Sequence, residues 1–411
     1  MGEWQQAWTD EVGVRDAKRL FAEMYGADAQ PDGVWASPGR VNLIGEHTDY
    51  NGGLCLPIAL PHRTYVAARR RDDNRAHIAT NMMIRGAITS SWSGQVEGIM
   101  PGVNIPGMDE WESYCGGPAW ALREDGVDVP GFELAIASCV PLGAGLSSSA
   151  AVECAVGLAL GDLAGTPFDT DDASRARLAR LCMLAENEIA GAPTGGMDQA
   201  ASLRSKAGHA LLLDCLDGSI EHVPFDLDAA GLELLVIDTR ASHSLADGQY
   251  GQRRASCEAA AATLGVATLR EIADGEEPLD SVLGRLSDRY ERRRVRHVVN
   301  EIRRVREFVA AASAGDWDEA GRLMNASHAS LSFDYDVSCI ELDTVVAAAQ
   351  AAGALGARMT GGGFGGSAIA LVRPEQREAV AEAVLRACAD AGLATPVLHL
   401  ATPSAPGERV A

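Results

Sequence analysis

Positive charge is scarce in this sequence of 411 residues. Lys and Arg together number 35, against 57 Asp and Glu, which gives a formal net charge of −22. Such a chain repels phosphate backbones and anionic lipid headgroups and has no counterion release to drive nucleic-acid binding. We therefore expect neither nucleic acid nor a membrane as a partner. If the protein binds a nucleotide, backbone N–H groups, a helix dipole or a metal ion must supply the positive potential at the phosphates.

The sequence also lacks a cysteine framework and any long apolar run. Its nine cysteines are scattered and never form CxxC, so a disulfide scaffold or a zinc site is not expected and a reducing compartment is favoured. No uninterrupted apolar stretch is long enough to span a bilayer, and the N-terminal segment has no apolar core typical of a secretion signal. We expect a cytoplasmic protein, and a monomer.

The length and the order of local patterns predict two α+β domains. A chain of 411 residues is too long for one ordinary core and suits two domains of about 200 residues each. We place the boundary near residue 215, which gives domains 1–215 and 216–411. The predicted elements are a helix at 14–26, strands at 34–36, 65–68, 76–80 and 132–138, helices at 147–164 and 174–190, a strand pair at 210–214 and 232–238, helices within 252–354, and a strand, glycine loop and strand across 356–372. On the first helix, the spacing of Ala17, Leu20, Phe21 and Met24 predicts one apolar face.

The first polar motif is GRVNLIGEHTDYNGG, which runs from Gly39 to Gly53. It gathers Arg, Glu, His and Asp side chains in a loop bounded by glycines, and such groups suit hydrogen bonding to several hydroxyls at once. A solvated polar turn explains the composition equally well. A metal role for His47 is not favoured, because no second His or Cys lies at ligand spacing.

The second motif is PLGAGLSSSAA, from Pro141 to Ala151, in which a glycine loop runs directly into a predicted helix. Free N–H groups, hydroxyls and the positive end of the helix dipole converge there, which is typical of a phosphate-binding site. The loop lacks the Gly-Lys-Ser/Thr ending of a Walker A motif, so any Mg²⁺ must be held by serine and a carboxylate from elsewhere. The alternative is an ordinary turn followed by a helix that the serine cluster caps.

The third motif is MTGGGFGGS, from Met359 to Ser367. It contains GxGxxG, but the SAIALV that follows is typical of a strand and no acidic residue lies at the ribose-binding spacing, so we reject a dinucleotide site. The glycines favour a close approach of the backbone to a ligand or another segment, with a flexible turn as the alternative. Between the second and third motifs, Glu186 and Asp198 could bring two carboxylates to one site.

Taken together, the three glycine-rich motifs resemble the GHMP kinase superfamily, and GRVNLIGEHTDYNGG resembles the signature of its galactokinase family. The similarity continues in DTRASHSLADGQYGQRRASCE, RRRVRHVVNEI and SHASLSFDYDVSCIELD, so it covers nearly the whole chain. It implies an N-terminal α+β domain, a C-terminal ferredoxin-like α+β domain and an active site in the cleft between them. It also implies transfer of the γ-phosphoryl group of ATP to the C1 hydroxyl of galactose, with Mg²⁺ as the cofactor.

The resemblance assigns roles to individual residues. Asp198 would be the base that faces the sugar hydroxyl, and Arg40 its cationic neighbour. Galactose would be bound by Glu46, His47, Thr48, Asp49 and Tyr250. ATP would be bound by the loop formed by Gly143, Ala144, Gly145, Leu146, Ser147, Ser148 and Ser149. The metal would be held by Ser148, Ser149 and Glu186.

The chain departs from the family pattern in two places. Members often carry Cys-Gly-Ile where this chain has Thr194, Gly195 and Gly196, and Trp-Ala-Asn-Tyr where it has WESY at 111–114. Two alternatives remain: a relative that phosphorylates another sugar, such as N-acetylgalactosamine, arabinose or a uronic acid, and a sugar sensor without turnover. The loop from Gly143 to Ser149, called the serine loop below, argues against the sensor. It is damaged in the best-known relatives without turnover, but here it continues intact as SSSAA.

Overall fold

The computed structural model describes residues 3–82, 90–103, 111–241 and 248–411. The strands are β1 (Glu3–Trp4), β2 (Gly33–Asn42), β3 (Leu54–Cys55), β4 (Pro57–Arg71), β5 (Arg75–Thr80), β6 (Ser90–Gln95), β7 (Gly131–Ser138), β8 (His209–Asp214), β9 (Ile220–Pro224), β10 (Glu233–Asp238), β11 (Gly356–Thr360), β12 (Ser367–Val372), β13 (Val397–Ala401) and β14 (Glu408–Arg409). The helices are α1 (Asp10–Tyr25), α2 (Trp111–Glu124), α3 (Ser148–Leu163), α4 (Asp172–Glu188), α5 (Met197–Arg204), α6 (Gln249–Leu264), α7 (Arg270–Asp274), α8 (Leu279–Gly284), α9 (Arg289–Ala314), α10 (Trp317–Ser330), α11 (Ile340–Ala351) and α12 (Arg377–Asp390). Within the described ranges, no helix has the length and hydropathy that a membrane span needs.

The N-terminal half is built on a six-stranded sheet in the order β14-β2-β4-β7-β5-β6. Helix α1 covers one face, where Ala17, Leu20 and Phe21 are buried at the spacing that the sequence predicts. Helix α3 packs against β2 and β4 on the other face, together with α2 and α4. The first polar motif, from Gly39 to Gly53, begins on β2, so this sheet fixes where it starts. We call it the sugar motif, after the sugar-binding role that the resemblance implies.

The C-terminal half is built on a five-stranded sheet in the order β1-β13-β10-β12-β11. Helices α9 to α12 and the strands β10 to β12 share one large core with the loop that follows β2. The strands β11 and β12 pair antiparallel on either side of the glycine motif, which confirms the predicted strand, loop and strand. The two halves form the expected two-domain α+β fold, with the three motifs at the cleft between them.

The terminal strands each join the sheet of the other half. β1 pairs in parallel with β13, and β14 pairs antiparallel with β2. Each half therefore contains one short strand from the far end of the chain. The boundary near residue 215 stays a prediction.

One strand pairing predicted from the sequence is wrong. The segments at 210–214 and 232–238 are strands, but β8 pairs with β3 and β9, whereas β10 pairs with β12 and β13. The segment between them supplies β9, a strand that the local pattern did not reveal. Residue patterns identify strands from their own side chains, but the partner of a strand depends on distant contacts.

Candidate active site

A cavity of about 800 Å³ lies between the two halves. Residues from all three motifs and from the segment 190–198 contribute to its wall. From the N-terminal half the predicted site residues on the wall are Arg40, Glu46, His47, Asp49, Gly143, Gly145, Leu146, Ser147, Ser148, Ser149, Glu186 and Asp198, and from the C-terminal half the wall includes the predicted Tyr250. Gly361 and Gly362 of the third motif also line it. The cavity thus brings together segments that are far apart in the sequence.

Arg40 and Asp198 form a two-pronged ion pair on the wall of this cavity. The Arg40 Nε donates to Asp198 Oδ1 at 2.9 Å, and Nη2 donates to Oδ2 at 2.8 Å. The third guanidinium nitrogen, Nη1, donates to the Gly145 carbonyl oxygen at 2.7 Å. Such a fork holds a carboxylate in one orientation. Arg40 therefore ties the predicted base to the serine loop.

The serine loop is shaped by glycines and by a strained serine. Gly143 and Gly145 both have φ of 71° and Ser147 has φ of 58°, a region that residues with a side chain seldom adopt. A Cβ at Gly39 would lie 2.5 Å from the Leu146 carbonyl oxygen, so the first glycine of the sugar motif lets the serine loop approach. Ala144 is buried behind the wall, where its carbonyl oxygen accepts a hydrogen bond from Ser367 at 2.7 Å.

The serine cluster was a candidate cap for α3, but its N-cap residue, Ser147, does not cap the helix. Ser147 makes no side-chain cap within the described structure, because its hydroxyl donates to Asp198 Oδ2 instead. The helix thus begins at the cavity wall with no N-cap side chain bonded to the N–H groups of its first turn. Unused N–H groups and the helix dipole favour an anion such as a phosphate at this point.

Glu46 is held mainly by the protein itself. Its Oε1 accepts from the Gly361 N–H at 2.7 Å, and its Oε2 accepts from Asn42 Nδ2 at 2.6 Å and lies 2.8 Å from Arg358 Nη2. Arg358 is fully buried on β11. Burial raises the pKa of Glu46, while the positive charge of Arg358 opposes that shift. Glu46 thereby fastens the sugar motif to the glycine loop.

His47 uses both ring nitrogens in protein contacts. Nε2 lies 3.1 Å from the Gly362 carbonyl oxygen and Nδ1 lies 2.7 Å from the Tyr50 hydroxyl. Burial lowers the pKa of His47 to about 3, so the ring is neutral at pH 7. Because a carbonyl only accepts, Nε2 carries the proton and Nδ1 accepts from Tyr50. The ring forms part of the wall and, in this arrangement, offers no spare nitrogen to a hydroxyl.

Thr48 lies behind the wall rather than on it. Its side chain is fully buried, and its hydroxyl lies 2.9 Å from the Gly45 carbonyl oxygen and 2.7 Å from that of Leu54. These contacts stabilise the turn that presents its two neighbours to the cavity. The structure therefore gives Thr48 a supporting position, in contrast to the predicted contact with substrate.

Asp49 and Tyr250 both line the cavity. A Cβ at Gly195 would lie 2.2 Å from the Asp49 carboxylate, so this glycine makes room for that side chain. The Tyr250 ring packs on the rings of His47 and Tyr50, with centroids 5.4 and 5.5 Å away. Burial, and then the nearby charge of Asp198, raises the pKa of Asp49 to about 6.

This pKa gives a prediction for sugar binding in the absence of nucleotide. Ionised Asp49 accepts hydrogen bonds from hydroxyls at both carboxylate oxygens, and protonation removes its negative charge and turns one of these oxygens into a donor. The dissociation constant for galactose should therefore rise as the pH falls below about 6, approaching tenfold per pH unit. Calorimetric titration with the sugar from pH 5 to 8 measures it. Asp49→Asn should bind more weakly at neutral pH and lack this dependence; an equal slope in both proteins would assign it to another group.

Glu186 approaches the serine loop from the last turn of α4. Its Oε2 accepts from Thr194 Oγ1 at 3.1 Å and from Gln199 Nε2 at 2.6 Å. Burial, followed by the charge of Asp198, raises its pKa to about 7, and a hydrogen bond from Ser149 acts in the opposite direction. A carboxylate and serine hydroxyls are hard oxygen ligands, and Mg²⁺ commonly takes one or two carboxylates together with substrate phosphates. The residues present therefore fit Mg²⁺ bound with a nucleotide.

Several residues of the site were not identified from the sequence. Arg358 and Glu301 anchor the sugar motif from the C-terminal half, where Glu301 Oε1 accepts from the Gly45 N–H at 3.0 Å. Gln199 and Glu153 lie behind the serine loop. The buried charge of Arg358 lies on a short buried strand, and nothing in that segment indicates its partner. Gln199 could have been noticed, because it directly follows Asp198.

A second depression, of about 440 Å³, lies on the surface around Arg69, Arg71 and Glu133. Both arginines pair with the carboxylate of Glu133. Arg71 also pairs with Asp73, so two carboxylates compensate the two arginines, and the depression lies apart from the three motifs.

Comparison with protein families finds matches in three regions of the chain. Residues 19–70 match the galactokinase galactose-binding signature, residues 113–206 match the GHMP kinases N terminal domain, and residues 308–390 match the GHMP kinases C terminal domain. The fold is that of a GHMP kinase.

Relatives narrow this class. The galactokinase of Streptomyces coelicolor is 50% identical over 392 residues, covering 95% of this chain and 97% of the relative. The human galactokinase is 41% identical, covering 87% and 88%. The crystal structure of Lactococcus lactis galactokinase complexed with galactose superposes with a TM-score of 0.87 at 32% identity, covering 97% of this chain and all of that one. The chain belongs to the galactokinase family and is an ATP-dependent sugar kinase.

Proposed function

We propose that this chain transfers the γ-phosphoryl group of ATP to the C1 hydroxyl of galactose, with Asp198 facing that hydroxyl. The observation that carries the proposal is the fork between Arg40 and Asp198, which stands where the sugar motif, the serine loop and the glycine loop meet. The Asp198 side chain keeps 20% of its surface exposed toward the cavity, whereas that of Arg40 keeps 6%. A carboxylate held this way can accept a proton without changing orientation.

In this proposal Asp49 and Tyr250 bind sugar hydroxyls directly, while Glu46 and His47 shape the pocket and hold the glycine loop against it. Asp198 accepts the proton of the C1 hydroxyl as the oxygen approaches the phosphorus. Arg40 offsets negative charge between the carboxylate and the transferring group. Phosphoryl transfer is largely dissociative, so positioning and charge neutralisation contribute more than a strong base would.

The phosphates of ATP would lie at the start of α3, with Ser148, Ser149 and Glu186 holding Mg²⁺. When bound, Mg²⁺ neutralises charge on the phosphate oxygens and orients them. The first-turn N–H groups, left without a side-chain cap, support this position. A chain with a net charge of −22 needs local positive potential to bind ATP, and these N–H groups supply it.

The cytoplasm is the proposed location, and the nine free cysteines are compatible with a reducing compartment. The monomer stays a prediction.

The product of the reaction tests the proposed activity. Galactose incubated with Mg·ATP and the protein should give ADP and a phosphate ester in equal amounts, and ³¹P NMR should show coupling of the ester phosphorus to the anomeric proton. Chelation of Mg²⁺ should stop the reaction. Binding of both substrates without turnover would identify a sensor, and an ester at another hydroxyl would contradict the assignment to C1.

A further inference from the structure

Three helices that carry proposed site groups meet behind the serine loop. Helix α3 begins at Ser148, α4 presents Glu186 from its last turn, and α5 presents Asp198 from its first turn. Two polar side chains fill the space where these helices meet, Glu153 from α3 and Gln199 from α5, and both are fully buried. They do not line the cavity, so neither has a role in the mechanism proposed above.

The Gln199 amide connects the two buried glutamates. Its Nε2 donates to Glu186 Oε2 at 2.6 Å and to Glu153 Oε2 at 3.0 Å. In this orientation the NH₂ group of Gln199 faces both carboxyl groups, and the amide oxygen has no hydrogen-bond partner in the described part of the chain. No other donor to the Glu153 side chain occurs in the described part of the chain, where its Oε1 has no hydrogen-bond partner. Glu153 is thus bonded through the Gln199 amide.

The same contact fixes the carboxyl group of Glu186. Gln199 and Thr194 both donate to one oxygen, Oε2, and Glu186 lines the cavity beside Ser148 and Ser149. Because Oε2 is held by these two donors, the carboxyl group cannot rotate freely. Its second oxygen, Oε1, is left to bond a metal ion or another group. Groups that orient a metal ligand in this way contribute strongly to metal affinity.

We propose that Gln199 is a positioning residue for the magnesium nucleotide, holding Glu186 in the orientation that binds Mg²⁺, with Glu153 as its buried anchor. The inference rests on the proposed metal role of Glu186. Because Gln199 directly follows Asp198, one turn of α5 supplies both the proposed base and the residue that positions the metal ligand. An amide suits this place because it supplies two hydrogens to two carboxyl groups that would otherwise face each other.

Direct binding of Mg·ADP, measured by calorimetry on the full chain, tests the inference without relying on turnover. Gln199→Met keeps the length of the side chain but removes both donors. It should weaken Mg·ADP binding by about 10- to 100-fold, the usual effect of losing a group that orients a metal ligand. Binding of galactose, and of ADP in the presence of a chelator, should stay unchanged.

Two further comparisons separate positioning from general support of the fold. Glu153→Gln retains an acceptor of the same size and should keep the Mg·ADP affinity, whereas Glu153→Leu should reproduce the loss seen in Gln199→Met. Gln252→Met is the matched control, because Gln252 is exposed on α6 and its neighbours Tyr250 and Gly251, but not Gln252, line the cavity. Thermal unfolding of each variant establishes that it is folded.

The outcomes distinguish this inference from the proposed function. If Glu186→Gln leaves Mg·ADP binding unchanged, the metal role of Glu186 is wrong. If Glu186→Gln weakens binding but folded Gln199→Met binds as tightly as the parent, the positioning role alone is overturned. A proportional loss of galactose, ADP and Mg·ADP binding in Gln199→Met would also overturn it, because it would indicate a general structural role.

Discussion

Asp198→Asn should lower kcat by at least ~100-fold, the low end of what a positioned base contributes, while galactose still binds. The amide has the shape of the carboxylate but cannot take the proton of the C1 hydroxyl. It also cannot accept from both prongs of Arg40, because its NH₂ group would face a guanidinium donor. Steady-state kinetics at saturating substrates measure kcat, and a separate titration measures galactose binding. Together they distinguish a slower chemical step from weaker binding of the sugar.

The chain offers a matched control for this variant. Arg204 holds Asp172 in the same two-pronged geometry, at 2.9 and 2.8 Å, but Asp172 stands at the start of α4 away from the cavity wall. Asp172→Asn should therefore cost some stability and leave turnover near normal. A folded Asp198→Asn protein with near-normal kcat would disprove the assignment of the base.

Galactose should be preferred over glucose by roughly 10²- to 10⁴-fold in kcat/KM. The two sugars differ only in the orientation of the C4 hydroxyl, and a misplaced hydroxyl leaves buried polar groups unpaired at about 1–3 kcal/mol each. Two such groups account for that range, since about 1.4 kcal/mol corresponds to a factor of ten. Measurement of kcat/KM for galactose, 2-deoxygalactose, N-acetylgalactosamine, arabinose and glucose tests the order. A preference for any other sugar would overturn the substrate assignment and leave the kinase assignment standing.

Asp49→Ala should narrow this preference. The substitution removes an acceptor that only a correctly placed hydroxyl uses, so galactose should lose more kcat/KM than the poor substrates do. Asp217→Ala is the control, because Asp217 is exposed in the turn between β8 and β9, where it accepts from the Ser219 N–H at 2.8 Å. An equal loss of kcat/KM for every sugar in Asp49→Ala would mean that Asp49 supports the pocket but does not distinguish one sugar from another.

The sequence predicted elements whose signal is local. The spacing of Ala17, Leu20 and Phe21 indicated the buried face of α1, and the residues after the glycine motif indicated the strand β12. It did not predict that β8 pairs with β3 and β9, since a strand does not encode the identity of its partner in its own pattern. The sequence also did not predict that each terminal strand joins the sheet of the other half. These strands are only two residues long, so they carry too little pattern to be recognised.

The candidate site shows the same limit. Arg40 and Asp198 are 158 positions apart, and nothing in either segment predicts their fork; the resemblance to a family brought them together. The sequence favoured His47 as a group for sugar hydroxyls, but its nitrogens bond to Tyr50 and to Gly362, which lies 315 positions away. Residue type indicates what a side chain can bond to, whereas the fold decides which bonds remain available.

The strand β14 has a consequence for the order in which the protein is assembled during translation. Its residues Glu408–Arg409 close the edge of the sheet on which the sugar motif begins, beside Trp35 and Ala36 of β2. On the ribosome that edge stays open until residues 408–409 have emerged, although the other strands of the sheet lie between residues 33 and 138. An exposed edge strand is a template for pairing with other chains. We therefore expect the β2 edge of the nascent N-terminal half to stay open to pairing with other chains until β14 has been synthesised.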